Sequence, residues 1–61
     1  MSPKALLSAA LEKVESASIR AWATSAHNYP ILLKEAAARI ERGRTDPLQL
    51  TTAIVCCAIG L

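Results

Sequence analysis

The sequence predicts an all-α protein of two or three helices joined in a hairpin-like way, and three observations carry that prediction. Strand formers are sparse, with no Phe and two Val, whereas the 12 alanines favour helix. Apolar residues recur at three- and four-residue intervals. Proline and glycine fall at a few isolated breaks between alanine-rich runs. At 61 residues the chain is one domain at most, residues 1–61.

Helix one is expected over residues 3–27. It starts where Ser2 offers a hydroxyl cap and Pro3 a missing N–H that is harmless in a first turn. On its wheel Leu7, Leu11, Val14, Ser18, Ala21, Trp22, Ser25 and Tyr29 make one stripe, opposite Glu12, Lys13, Glu15, Ser16, Arg20 and His27. Pro30 disfavours a helical Tyr29 and lacks a backbone donor, so a turn or kink is expected across Asn28-Tyr29-Pro30. Helix two, residues 30–42, carries Leu32, Leu33, Ala36 and Ile40 on one face and Lys34, Glu41 and Arg42 on the other. Its Glu35 and Arg39 stand in the favourable i,i+4 order. Gly43 suits the left-handed position that commonly follows a helix end. Asp46-Pro47-Leu48-Gln49 combines a cap, a first-turn proline and the spacing of a capping box, and so starts helix three over 47–59, which Gly60 stops.

Helix three has no charged side chain after Asp46. Its large residues occupy two faces: Leu50, Ile54 and Leu61 on one, Leu48, Val55 and Ile59 on the flank. A helix apolar nearly all round has to be covered on more than one side. The chain has little else to cover it with, because alanine buries little area and chains of this length rarely gain more than about 3–5 kcal/mol from a core of their own. Completion of the core by oligomerisation, or by a partner chain, is therefore expected. Leu50, Ile54, Val55, Cys57, Ile59 and Leu61, with Trp22, are the candidate partner-binding residues, and the expected function is a non-catalytic adaptor, co-chaperone or inhibitor.

Other chemistries find less support. The net charge of +2 is far from the dense basic face of a nucleic-acid binder. A DNA-reading helix three offers only Gln49, Thr51 and Thr52 to base edges. The apolar run 48–61 is shorter than the roughly 17 residues needed to cross a bilayer and lacks the basic face of an interfacial helix. No long apolar stretch follows Met1, so a secretory signal is not expected and a cytoplasmic setting is. Cys56 and Cys57 are neighbours about 100° apart on a helix, too divergent to bond to each other, and read as small apolar residues in a reducing compartment. The lone His27 has no spacing that ties it to a nucleophile and an acid, so no enzyme, cofactor or metal is expected. The alternative is a homo-oligomer that binds a nucleotide or other phosphate ligand through His27, Tyr29, Lys34, Arg39, Arg42 and Arg44 around the helix turns.

The segment Glu41-Arg42-Gly43-Arg44-Thr45-Asp46-Pro47-Leu48-Gln49 resembles the turn of the small helical-hairpin co-chaperones of type III secretion needle subunits, where a basic-Gly stretch and a Pro lead into the second helix. The resemblance covers about nine residues of helix-stop and helix-start chemistry. Elsewhere the sequence departs from that pattern at Pro30 and at the paired cysteines. It implies one kind of partner, a helical subunit held by a small hairpin.

Overall fold

The computed structural model describes residues 1–60. Among them it places four helices and no strand: α1 (Pro3–Glu12), α2 (Ala17–Ala23), α3 (Asn28–Glu41) and α4 (Pro47–Ala58). The class is all-α, as the sequence predicts. The helix count is higher than two or three because the expected helix over 3–27 is bent into α1 and α2.

The cause of the bend is a change of phase. Leu6, Leu7 and Ala10 before it and Val14 at its start are buried, as is Ala23, flanked by the half-buried Ile19 and Trp22, after it. On a straight helix of 3.6 residues per turn these two sets point about 160° apart. One straight rod cannot turn both toward the same core, so the chain folds over at Lys13–Ser16. The Lys13 and Val14 N–H groups donate to the carbonyls of Ala10 and Leu11, each at 3.1 Å. Ser16 takes extended backbone, and its hydroxyl accepts from the Ile19 N–H at 3.3 Å, the N-cap of a new helix. The Arg20 guanidinium donates to the Val14 carbonyl across the bend. Ser18 and Ala21, expected on the apolar stripe, are consequently exposed, and Leu6, absent from that stripe, is buried.

Pro30 does not open its helix. It is the third residue of α3, which begins at Asn28. The first-turn N–H groups of a helix have no partner within it, so a proline there forfeits nothing. The Ser25 hydroxyl accepts from the Asn28 N–H at 3.2 Å, and the Asn28 side-chain amide donates to the Trp22 carbonyl at 3.1 Å, tying the start of α3 to the end of α2.

Gly43 follows α3 with φ +75°, its N–H on the Ile40 carbonyl at 3.0 Å and the Arg44 N–H on the Arg39 carbonyl at 2.8 Å. This is a Schellman stop. Ser2 caps α1 through the Ala5 N–H at 3.1 Å, and Asp46 caps α4 through the Leu48 N–H at 3.0 Å, one residue short of the Gln49 position that a capping box uses.

The core joins Leu6, Leu7 and Ala10 of α1, Ala23 of α2, Leu32 and Ala36 of α3, and Leu50 and Ile54 of α4. α1 and α2 each pack against both α3 and α4. Three of these helices meet through fully buried alanines, Ala10, Ala23 and Ala36, which let the backbones come close and reduce the volume to be filled. The radius of gyration, 10.4 Å, matches the roughly 10.5 Å of a compact domain this long. The accessible surface, 3902 Å², is close to the roughly 3,800 Å² of a folded monomer of this mass.

Candidate functional site

α4 is divided lengthwise. Leu50 and Ile54, expected to meet a partner, have no exposed surface and belong to the core of their own chain. Thr51 sits between them, 8% exposed, with its hydroxyl 2.8 Å from the carbonyls of both Ala10 in α1 and Pro47 in its own helix. The Ala10 carbonyl, which also accepts from the Lys13 N–H at the end of α1, has a second lone pair for this hydroxyl, so Thr51 seats α4 on the end of α1.

One flank of α4 remains apolar and open. Leu48 is 60% exposed and Ile59 57%, with Thr52 exposed and Val55 half-buried between them. Leu48, Thr52, Val55 and Ile59 follow one another at intervals of four, three and four, which places all of them within about 60° of helix surface. That is the spacing of a helix seam made to pack against another element.

Of the other candidate partner residues, Trp22 is half-buried against the core from α2, Cys57 is exposed but lies off the seam, and Leu61 lies outside the described residues. Cys56, half-buried, borders the seam, and both cysteines are free thiols. Leu48, which the sequence puts on the flank with Val55 and Ile59, is the seam residue missing from the candidate partner-binding set. The signal that marks it is the four-three-four interval.

The basic and aromatic candidates do not gather in one copy. His27 and Tyr29 stand at the start of α3 and Arg39, Arg42 and Arg44 at its end, about 20 Å away along the helix. Tyr29 is half-buried against the core, and Lys34, Arg42 and Arg44 are exposed. Arg39 is engaged by Glu35 at 2.9 Å, the i,i+4 pair expected from the sequence. An open groove beside the bend is lined by Ser8, Leu11, Glu12 and Arg20, and its arginine is the one that straps Val14. Among the described residues no group of three His, Cys, Asp or Glu side chains is placed to hold a metal ion, and no helix is long and apolar enough to cross a membrane.

Comparison of the chain with protein-family models, with curated proteins and with solved structures finds no match.

Proposed function

We propose that the protein is a non-catalytic interaction module, an adaptor, co-chaperone or inhibitor, that presents α4 as an anchor helix to an apolar groove on another protein. The observation that carries this reading is the seam of Leu48, Thr52, Val55 and Ile59, left uncovered once the inner face of α4 has entered the core. Recognition of a helix in a groove uses such i, i+4, i+7 anchors.

Magnitudes favour a groove over a single opposing helix. A standard interface buries about 800 Å² on each partner, roughly a fifth of the 3902 Å² this chain exposes. A seam four side chains long, about 16 Å from end to end, does not reach that area if only its crest is touched. A groove that closes over the outer flank of α4 adds the surface of Gln49, Cys56 and Ala53. The absence of charged side chains beyond Asp46 suits an apolar groove and offers nothing to an acidic or basic one.

The test compares the wild-type chain with Leu48→Glu/Ile59→Glu as bait in lysate of its native cell. The double variant is expected to keep the helical circular-dichroism spectrum and melting temperature of the wild type, because both side chains face water. It is expected to lose a partner that the wild type holds in fixed stoichiometry. Retention of that partner by the double variant, or no stoichiometric partner for the wild type, contradicts the reading.

A further inference from the structure

The bend between α1 and α2 contains neither Gly nor Pro, and no non-glycine residue among those described has positive φ. Lys13 is already in the right-handed helical region, with φ −86° and ψ −10°, and Ser16, at ψ 119°, departs from it. Local preference therefore permits one continuous helix from Pro3 to Ala23. What holds the bend is side-chain chemistry: the Ser16 hydroxyl on the Ile19 N–H, the Arg20 guanidinium on the Val14 carbonyl, and the burial of Val14.

A continuous helix satisfies its backbone but points its two apolar faces in nearly opposite directions, their centres about 18 Å apart along the axis. One copy of the molecule is 20–21 Å across its two shorter dimensions. Such a rod has the geometry to join two cores, one on each side and one at each end. We propose that the chain forms a domain-swapped dimer in which Lys13–Ser16 becomes helical and α1 of each copy packs against α3 and α4 of the other.

The occupant is a second copy because the site that α1 vacates is shaped by α1. Leu6, Leu7 and Ala10 re-enter the same core, and the Thr51 hydroxyl meets the same Ala10 carbonyl, now between chains. No new surface is required. Swapping is independent of the α4 seam, which stays on the outside of either form.

The test is light scattering on a sizing column after unfolding and refolding at millimolar concentration, applied to the wild type, Ala17→Pro, Ser16→Ala and Leu48→Glu. Ala17 is exposed, follows a residue with extended backbone and opens α2, so proline fits the bent form. In a continuous helix the same proline removes a hydrogen bond and clashes with the preceding turn.

The wild type is expected to yield a dimer that persists on dilution and returns to monomer after refolding at micromolar concentration. Ala17→Pro is expected to stay monomeric. Ser16→Ala, having lost the cap of the bent form in both copies, is expected to raise the ratio of dimer to the square of monomer about thirty-fold. Leu48→Glu is expected to leave that ratio unchanged. A dimer that survives Ala17→Pro, a ratio unmoved by Ser16→Ala, a dimer abolished by Leu48→Glu, or a wild type that remains monomeric after concentrated refolding each overturns the proposal.

Discussion

Thr51 and Thr52 are adjacent, chemically identical and differently used. The Thr51 hydroxyl is buried on the Ala10 carbonyl, 41 residues away in the chain, whereas Thr52 is exposed and bonds back to the Leu48 carbonyl of its own helix at 3.1 Å. Replacing Thr51 by the near-isosteric Val removes a buried hydrogen bond without opening a cavity, so Thr51→Val is expected to cost about 1–2 kcal/mol in urea unfolding. Thr52→Val touches nothing that the fold depends on and is expected to change stability by less than about 0.5 kcal/mol. Equal effects at the two positions would remove Thr51 as the seat of α4. On the helix wheel Thr51 stands about 60° from Ile54 and Thr52 about 160° from it, so the sequence separates their faces but does not reveal the Ala10 carbonyl as the acceptor. Which carbonyl the Thr51 hydroxyl meets depends on where α1 ends, and that end is set by packing.

At the scale of the element, legibility follows range. Ser2-Pro3, Gly43 and Asp46-Pro47 act on backbone groups within a few residues, so their capping roles can be read from the chain, and all of them are seen in the structure. Gly43 lies at φ +75° with open space where a side chain would stand. Gly43→Ala is therefore expected to cost about 1–2 kcal/mol through backbone strain alone, measurable as a shift of the urea midpoint with no change of slope. A loss near zero would mean that the α3–α4 turn relaxes. The bend at Lys13–Ser16 is different in kind. Ser16 is an ordinary cap in retrospect, but the need for a cap there comes from the mismatch in phase between Leu6, Leu7 and Ala10 on one side and Trp22 and Ala23 on the other. Only a shared core exposes that mismatch. Pro30 errs in the same sense, because a proline blocks a helix interior and is harmless in the third position of a helix begun by Asn28.

At the scale of the whole molecule, the alanines decide how much of α4 is left over. Counted by area they contribute little, and a chain built on them is expected to need a second copy to cover Leu50 and Ile54. Placed at helix crossings, Ala10, Ala23 and Ala36 instead bring the helices near enough for one copy to cover both. The candidate site was thus legible as a helix with two apolar faces, the uncharged α4, but which of the two stays open was not. Leu48 and Ile59 remain outside because they lie on the flank of the residues that the crossing buries. The division between the two faces is open to one direct measurement: urea unfolding of Ile54→Ala and Ile59→Ala, at two protein concentrations differing a hundred-fold and neither above the micromolar range, where the monomer is the expected form. The same atoms are removed from the same helix in both. With Ile54 enclosed by its own chain, the expected losses are about 2–5 kcal/mol for Ile54→Ala and less than about 0.5 kcal/mol for Ile59→Ala, neither depending on concentration. Comparable losses at the two positions, or an Ile54→Ala loss that varies with concentration, would mean that the inner face of α4 is completed by another molecule.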